Sequence, residues 1–268
     1  YAWNRGDILC WWYIQRYGFY RRRKLNTIKV LDHGFVTLRN LSGPTRRPVY
    51  AEDGCLYSKE YDADDVDPAN AARMSFDNMD EDRAREDDMR LCKYLMRHWH
   101  TSPFEMIEVW LEMKMPIFVA RQFVRHRTAS INEVSGRYVT LPSEWYIPDV
   151  VGGKAKSNKQ GQEDNLDEAT QMWFKDRLNI ACSTDYNVYL TFIKKGIAPE
   201  HARMLLHLNH YTHWLWKQDL HNMMHFLALR RGEHAQIEAR AYANAVYELL
   251  KAQLPETMKL FDEYRQWK

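Results

Sequence analysis

The arginine-rich window at residues 116–138 contains the side chains of this sequence that are best suited to bind an anion. It holds four arginines and no lysine, and arginine is preferred where a planar group must hold an oxyanion through two hydrogen bonds. Arg121 and Arg125 lie four residues apart. On a helix they would be neighbouring like charges, which cost roughly a few tenths of a kcal/mol unless an anion lies between them. The window therefore predicts an anion-binding site.

The second half of this window has the composition of a phosphate-binding loop. Glu133 is followed closely by Ser135, Gly136, Arg137 and Tyr138. Gly136 lacks a side chain and so lets the backbone approach a ligand closely. The Ser135 hydroxyl and the Arg137 guanidinium are donors that suit phosphate oxygens. We expect these residues to hold the phosphate group of a substrate.

The composition indicates a globular protein whose anion site is local. The 268 residues are 45% hydrophobic, enough for one sizeable core. With 38 basic and 36 acidic residues the net charge is +2, so the strongly basic field of nucleic-acid-binding domains is missing. The longest apolar run near the start, residues 8–14, is shorter than the roughly 18 residues that span a bilayer. We expect a soluble, cytoplasmic protein with no membrane and no nucleic-acid partner.

The cysteines predict neither a disulfide framework nor a nucleophile. The four of them, at positions 10, 55, 92 and 182, are widely separated and form no CxxC pair. This spacing fits a reducing compartment. None lies in a recognisable nucleophile context, so chemistry that needs covalent attack by a thiol has no obvious candidate.

A strand and a helix must position the arginine-rich window. Residues 107–115 alternate apolar and polar side chains and form the clearest strand of the sequence. They lead to Pro116, which suits the first turn of a helix because that turn needs no N–H donor from it. The apolar residues that follow predict a mostly buried helix, with Arg121, Gln122 and Arg125 on its remaining face.

The chain before this strand is predicted to be mixed. Residues 28–38 indicate a strand broken at His33 and Gly34. Residues 41–68 are interpreted as a surface loop, because prolines, glycines and aspartates concentrate there. Residues 80–98 have the pattern of an amphipathic helix, and residues 100–105 form a turn closed by Pro103.

The chain after the window is predicted to be almost entirely helical from Glu168 onward. Residues 149–168 precede it as a polar loop. Residues 170–195 indicate one amphipathic helix with Trp173 and Tyr189 on its inner face and Gly196 as its C-terminal cap. A terminal helix at residues 236–254 ends before Pro255.

The motif Arg125-His126-Arg127, followed after seven residues by Ser135, resembles the signature of the flavin-dependent thymidylate synthases. The neighbouring Gln122, Glu133 and Gly136-Arg137-Tyr138 are similar to that family too. The resemblance implies an α+β fold, with helices around an antiparallel sheet, assembled as a homotetramer whose active sites lie between subunits. It begins near Ile28, so we expect a synthase domain at residues 28–268 and an N-terminal extension of unknown role at residues 1–27.

The resemblance also implies a reaction. Deoxyuridine monophosphate (dUMP) is methylated at C5 to thymidylate (dTMP), with methylenetetrahydrofolate as carbon donor, reduced FAD as hydride donor and NADPH as reductant. Reducing the transferred methylene needs a hydride, which no side chain can donate, so a redox cofactor is required. The sequence contains no GxGxxG motif, so the flavin would not be held in the Rossmann manner.

The resemblance assigns the site residues. Arg230, which follows a run of apolar residues, is the predicted catalytic residue: a buried guanidinium beside the pyrimidine would stabilise its electron-rich form without a cysteine nucleophile. The implied dUMP-binding residues are Gln122, Arg125, Glu133, Ser135, Gly136, Arg137, Arg203 and Arg230. The implied FAD-binding residues are Ser75, His100, Ser102, Arg125, His126, Arg127, Glu133, Asp219 and His225. Asp219 and His225 depart from the family pattern, where some members have asparagine.

Three alternatives remain open. The aromatic and basic N-terminus together with the arginine helix would suit a nucleic-acid-binding module, although an extension that packs on the body is the simpler interpretation. Departures such as Asp219 would also be compatible with a family member that has lost activity. His221 and His225 at i,i+4 offer a metal site, but neither an HExxH motif nor paired carboxylates accompany them. We therefore predict no metal.

Overall fold

The structure, a computed structural model, describes residues 27–50, 56–79, 83–155 and 162–265. The predicted N-terminal extension at residues 1–27 lies outside this part of the chain except for Thr27, and so do Cys10 and Cys55. The domain boundary after residue 27 therefore stays a prediction.

The described strands form one large antiparallel sheet and one small hairpin. They are β1 (Thr27–Val30), β2 (Gly34–Tyr50), β3 (Leu56–Asp62), β4 (Glu108–Pro116), β5 (Ser130–Glu133), β6 (Gly152–Lys154), β7 (Gln162–Asn165) and β8 (Tyr211–Asp219). The large sheet has the order β1-β2-β4-β8-β5, and β3 pairs with β2. β6 and β7 pair only with each other.

The helices surround this sheet. They are α1 (Asp67–Arg73), α2 (Arg85–Arg97), α3 (Ser102–Glu105), α4 (Ile117–Phe123), α5 (Glu168–Lys194), α6 (Pro199–Ala202), α7 (Leu220–Arg230), α8 (Ile237–Gln253) and α9 (Pro255–Tyr264). Short 3₁₀ turns follow α1 at Met74–Phe76 and α6 at Arg203–Leu205. Helices around an antiparallel sheet confirm the predicted α+β fold.

Strand β4 forms the centre of the core, as its alternation predicts. Val109, Leu111 and Met113 are fully buried, while the residues between them are half-buried on the opposite face of the sheet. Helices α4 and α7 pack against β4 and β8 on the buried face. There the rings of Phe123 and Phe226 meet edge to face, with 4.8 Å between their centroids. This packing fixes the two helices that carry the arginine-rich residues.

The prediction of a surface loop at residues 41–68 is wrong. β2 continues to Tyr50 and pairs with β3, and Pro44 lies where the register between these strands shifts, a place that tolerates proline. Asp65 is only 2% exposed. Its carboxylate accepts hydrogen bonds from the backbone N–H groups of Thr257 at 2.7 Å and Glu256 at 3.3 Å, at the start of α9. Asp65 therefore caps helix α9, which lies much later in the sequence.

The prediction of an almost entirely helical C-terminal half is also wrong. Strand β8 lies between α6 and α7 and is a central strand of the sheet. Its residues alternate between buried and more exposed positions, the period of two that marks a half-buried strand. The polar loop predicted at residues 149–168 contains the hairpin of β6 and β7, and α9 follows the helix that was predicted to be terminal.

Helix α5 is confirmed, and Tyr189 is buried on its inner face as predicted, but Trp173 is not. The Asp167 carboxylate caps it by accepting from the Thr170 N–H at 2.9 Å, and Gly196, at φ +79°, follows its last turn as predicted. Trp173 is 62% exposed, however, and the buried residues of the helix are Cys182 and Tyr189. Among the helices that the structure describes, none has the length and apolar character to cross a membrane.

Candidate functional site

Pro116 joins the central strand to the arginine-bearing helix, as predicted. It ends β4 and has an extended conformation, φ −60° and ψ 143°, at the N-terminal cap of α4. The backbone N–H of Ile117 donates to the carbonyl of His210 at 2.9 Å, so α4 begins next to the start of β8. Val119 and Phe123 are fully buried, while Arg121 is exposed. The helix therefore has one core face and one polar face.

Arg230 lies at the end of this polar face. Its Nε donates to Nε2 of His126 at 3.2 Å, and its Nη2 donates to the backbone carbonyl of Gln122 at 3.1 Å. The Gln122 side chain donates in turn to Oε1 of Gln236 at 2.5 Å. The structure thus brings Gln122, His126 and Arg230 together, three of the residues predicted from sequence. We call them, with Gln236, the Arg230 cluster.

The partners of Arg230 are electrically neutral. Burial, the nearby Arg230 charge and His225 lower the pKa of His126 to about 4, so this imidazole is uncharged at neutral pH. Burial also lowers the pKa of Arg230 from its ordinary value, yet an arginine remains protonated in proteins. The half-buried guanidinium is therefore positioned by its neighbours without being neutralised by them, which leaves its charge for a ligand.

A second cluster forms around the predicted phosphate loop. After β5, the backbone N–H of Arg137 donates to Oγ of Ser135 at 3.2 Å. A Cβ at Gly136 would lie 3.1 Å from Leu141 and 3.3 Å from Cδ of Arg203, so Arg203 lies directly against the loop. Ser135, Gly136, Arg137 and Arg203 are therefore neighbours, and we call them the loop cluster.

One feature of the loop cluster was not predicted. Nε of Arg137 forms an ion pair with Oε2 of Glu200 on α6 at 3.2 Å, with both side chains about half exposed. An exposed pair of this kind contributes only about 0–1 kcal/mol. Glu200 can therefore exchange for a phosphate group at little cost.

Glu133 lies at the edge of an open groove on the uncovered face of the sheet. The groove has a volume of about 620 Å³ and is lined by Arg39, Asn40, Trp110, Glu112, Asn132, Glu133, Val134, His213, Trp214 and Leu215. The hydroxyl of Thr212 donates to Oε1 of Glu133. This bond fixes the Glu133 carboxylate two residues before Ser135, the first residue of the loop cluster.

Asp219 has a structural role at the start of α7. Its carboxylate accepts from the backbone N–H of Asn222 at 2.8 Å and from the Asn222 side chain at 2.7 Å, so it is the N-terminal cap of the helix. The backbone N–H of Leu220 donates to the carbonyl of Ile107 at 2.8 Å. This bond joins the start of α7 to the strand that follows Ser102, an exposed residue at the start of α3.

The other residues assigned to the flavin lie on several different elements. The ring centroid of His225 lies 6.4 Å from that of His126. His100 stacks on Tyr94 with 5.8 Å between centroids. Ser75 is exposed in the 3₁₀ turn after α1, and α1 packs against α3.

The two clusters are separate within one chain. Among the described residues, no hydrogen bond or ion pair joins the Arg230 cluster to the loop cluster. Arg125 and Arg127 are exposed and follow the Arg230 cluster in sequence. The structure thus gathers six of the eight residues predicted to bind dUMP into two groups, while Ser75, His100, Ser102 and Asp219, which were assigned to the flavin, lie outside both.

The donors of the site suit an anionic dinucleotide such as a flavin. Arg230 offers an unneutralised charge, Arg125 and Arg127 are exposed guanidinium groups beside it, and Gly136 forms a cradle that a Cβ would narrow. Guanidinium groups are the usual partners of phosphate oxygens. The residues present therefore fit the group that the motif implies.

The described cysteines and histidines support neither a thiol nucleophile nor a metal. Cys92 and Cys182 are buried, and burial raises the pKa of the Cys92 thiol to about 12 and raises that of Cys182. Both stay protonated at neutral pH. In the ranges that the structure describes, His, Cys, Asp and Glu side chains form no group of three that could hold a metal ion.

Comparison with known proteins identifies the family. The family model described as thymidylate synthase complementing protein matches residues 58–256. A flavin-dependent thymidylate synthase of Gluconobacter oxydans (strain 621H) is 43% identical over 242 residues, which cover 88% of this chain and 73% of that protein. One from Thermus thermophilus is 42% identical over 240 residues, covering 89% and 79% respectively.

A solved structure agrees with these relatives. The UMP/dUMP methylase PolB from Streptomyces cacaoi, crystallised with 5-Br dUMP, is 25% identical and superposes with a TM-score of 0.73. The match covers 88% of this chain and 98% of PolB. The fold and these relatives thus place the chain in a class of nucleotide methylases. The chain is a member of the flavin-dependent thymidylate synthase family.

Proposed function

We propose that this chain methylates dUMP at C5, taking the carbon from methylenetetrahydrofolate and the hydride from reduced FAD, which NADPH regenerates. Conversion of dUMP to dTMP by a flavin-dependent methyltransferase is the activity of the family to which the chain belongs. The observation that carries the residue-level proposal is the half-buried Arg230 guanidinium, whose partners within the described ranges are the neutral His126 ring and the Gln122 carbonyl.

Arg230 is the catalytic residue in this proposal. C5 of the neutral pyrimidine is weakly nucleophilic, so the ring must gain electron density before it attacks a carbon electrophile. A fixed guanidinium beside the ring stabilises the electron-rich form, and a preorganised donor of this kind commonly contributes about 10²–10³ in rate. Because His126 and Gln122 fix two of its donors, the remaining N–H groups of Arg230 have a defined direction.

The loop cluster binds the nucleotide phosphate in this proposal. Ser135, Gly136, Arg137 and Arg203 supply a hydroxyl, backbone N–H groups and two guanidinium groups within one small region. Displacing Glu200 from Arg137 exchanges one anion for another. The rest of the dUMP pocket comes from Gln122, Arg125, Glu133 and Arg230.

The flavin site is proposed along α7 and the arginine motif. When bound, FAD supplies the hydride that no side chain can supply. Arg125, His126 and Arg127 follow helix α4, and the ring of His126 lies next to that of His225 on α7. Ser75, His100, Ser102 and Glu133 complete the set, and Asp219 acts there by capping α7.

We further propose a homotetramer with active sites between subunits. Two observations support it: the Arg230 and loop clusters are unconnected within one chain, and α5 exposes the large apolar side chains of Met172, Trp173 and Phe174. Such side chains stay exposed in a monomer only at a cost of roughly 1.5–3 kcal/mol each relative to burial. A cytoplasmic location, in keeping with the free thiols of Cys92 and Cys182, belongs to the same proposal.

Purified protein and a turnover assay test this function. We expect yellow protein that forms dTMP from dUMP when methylenetetrahydrofolate and NADPH are supplied. Bound flavin without turnover would identify an inactive member of the family. Colourless protein that binds oligonucleotides tightly, with strong dependence on salt, would instead support the nucleic-acid-binding alternative.

A further inference from the structure

Arg265 is a buried cation with unused hydrogen-bond donors. It follows the last turn of α9 and is only 7% exposed. Its Nε and Nη2 atoms are buried and have no hydrogen-bond partner among the residues that the structure describes. Most buried polar groups in proteins do have partners, so two orphaned donors on one guanidinium require an explanation.

The surroundings of Arg265 form a small pocket. The guanidinium carbon lies 3.7 Å from the ring centroid of Trp99. Together with Arg265, the pocket is lined by Trp99, His221, Met224, His225 and Ala228, and its volume is about 30 Å³. This is roughly the volume of one water molecule, so the pocket admits the terminal oxygens of a ligand and not the whole ligand.

The pocket holds positive charge that the described residues do not neutralise. Arg265 forms no ion pair with any described carboxylate. Burial and the Arg265 charge lower the pKa of the neighbouring His221, and the carboxylates of Asp219 and Glu105 oppose this shift without cancelling it. Asp219 already caps α7. Burying a charge without a partner destabilises the free protein. The missing partner is therefore an anion from outside this part of the chain.

Trp99 is held in place by the end of helix α2. Its φ angle is +61°, and its N–H donates to the Met96 carbonyl at 3.4 Å while that of His100 donates to the Leu95 carbonyl at 3.0 Å. These are the hydrogen bonds of a Schellman cap, so the backbone fixes the residue that stacks on Arg265. Trp99 precedes His100, one of the residues proposed to contact the flavin.

The pocket is continuous with the proposed flavin site along α7. His221, His225 and Ala228 lie four and seven residues apart, so they share one face of the helix. From His221 to Ala228 that face is about 10 Å long. It passes the contact of His225 with His126, two of the residues proposed to bind the flavin.

We propose that Arg265, stacked on Trp99, binds a phosphate oxygen of the dinucleotide cofactor, an inference that rests on the proposed flavin-dependent function. The phosphate accepts hydrogen bonds from the edge of the guanidinium that lines the pocket, and the small pocket volume limits the contact to an oxyanion. The shared chemistry is an oxyanion, which a folate carboxylate or the dUMP phosphate also offers. The experiment must therefore separate these sources.

The test compares Arg265→Met, which keeps an apolar stem over Trp99 but removes the charge, with the wild-type full chain. After flavin removal, affinities for FAD and for riboflavin, which has no phosphate, are measured by flavin fluorescence. Affinities for dUMP and methylenetetrahydrofolate are measured by calorimetry. We expect the FAD affinity to fall about ten- to hundred-fold, with the other three affinities unchanged. Arg90→Ala, which removes an exposed arginine paired with Asp87, is the matched control.

The unfolding temperature of the flavin-free variant distinguishes ligand binding by Arg265 from a purely structural role. Because the charge is unpaired in the free protein, Arg265→Met should unfold at the same or a higher temperature. A drop of more than about 5 °C would show that the guanidinium stabilises the fold, and the proposal would be wrong.

The remaining outcomes are also decisive. An FAD affinity within twofold of wild type overturns the inference and leaves the proposed function intact. Equal losses for FAD and riboflavin exclude a phosphate contact, and a loss confined to dUMP or to the folate assigns the oxyanion to that molecule. Wild-type protein that binds no flavin overturns the proposed function and this inference together.

Discussion

Arg230 donates a hydrogen bond from Nε to Nε2 of His126 at 3.2 Å. Nε2 must therefore offer a lone pair, which places the imidazole proton on Nδ1. A pKa of about 4 keeps that ring neutral. The pair combines a permanent cation with an uncharged partner, so His126 orients the guanidinium and leaves its positive charge for the substrate.

Replacing Arg230 should abolish turnover and spare the flavin. In Arg230→Ala we expect dTMP formation to fall at least about 10²–10³-fold, because a preorganised donor is lost, while flavin absorbance per chain stays near wild type. Arg231→Ala is the matched control, since Arg231 stacks on Tyr247 at 3.6 Å instead. Loss of flavin from Arg230→Ala would show that the residue has been given the wrong role.

Arg137 should control nucleotide affinity. Arg137→Ala removes a guanidinium from the loop cluster, and we expect dUMP to bind about ten- to hundred-fold more weakly in calorimetry. Glu200→Gln removes the competing carboxylate, so dUMP should bind that variant equally well or more tightly. The phosphate role is contradicted if Arg137→Ala binds dUMP like wild type, or if Glu200→Gln binds it more weakly.

The protein should lose stability as the pH falls from about 6.5 to about 4. Burial is the main cause that lowers the pKa of both His126 and His210 from 6.5 to about 4. In that range the unfolded chain binds more protons than the folded one, so the free energy of unfolding decreases as the pH falls. When the pKa of a group differs by one between the folded and unfolded chain, the stability changes by about 1.4 kcal/mol.

Urea unfolding at several pH values measures this effect. His126→Gln should flatten the dependence, because one of the two buried rings is gone. A free energy of unfolding that is equal at pH 7 and pH 5 would contradict the assignment of both rings as neutral, buried groups.

Gly34 should tolerate no side chain. A Cβ there would lie 1.9 Å from the Tyr242 hydroxyl, 2.6 Å from the Val30 carbonyl oxygen and 2.8 Å from the Lys114 carbonyl oxygen. The Tyr242 hydroxyl is fixed because it donates to the Lys114 carbonyl at 2.8 Å. We expect Gly34→Ala to reduce the free energy of unfolding by about 1–3 kcal/mol or more.

The double variant Gly34→Ala/Tyr242→Phe tests the cause. Removing the Tyr242 hydroxyl relieves the shortest contact. Gly34→Ala should therefore reduce the free energy of unfolding less in a Tyr242→Phe background than in the wild-type chain. Recovery should be partial because the two carbonyl oxygens remain. Gly34→Ala as stable as wild type would contradict the proposed clash.

Local patterns predicted the elements whose environment is set by their own sequence. The alternation of residues 107–115 specified β4, Pro116 marked the start of α4, and Gly196 marked the end of α5. Strand β8 was missed because its aromatic and histidine residues were interpreted as interruptions of a helical pattern. Trp173 was wrongly predicted to be buried, because helical periodicity does not show which neighbouring element covers each part of a helix.

The candidate site was predictable where a motif is contiguous and not where distant segments meet. The arginine motif and the loop at residues 135–137 indicated their own positions. Glu200 and Arg265 carry no local signal, because each acts through a partner far away in sequence. The cap that Asp219 forms on α7 was not predicted either, because a family position indicates a ligand contact and does not show which backbone N–H groups a carboxylate accepts from.

The Asp65 carboxylate links an early turn to the final helix of the chain. With 2% of its surface exposed, it depends on the N–H groups of Glu256 and Thr257 as donors. A nascent chain that has not yet been synthesised through residue 257 must keep this acid solvated or protonated. Completion of the core therefore waits until residue 257 has been synthesised, and a stop just before Pro255 would leave a product open to proteolysis.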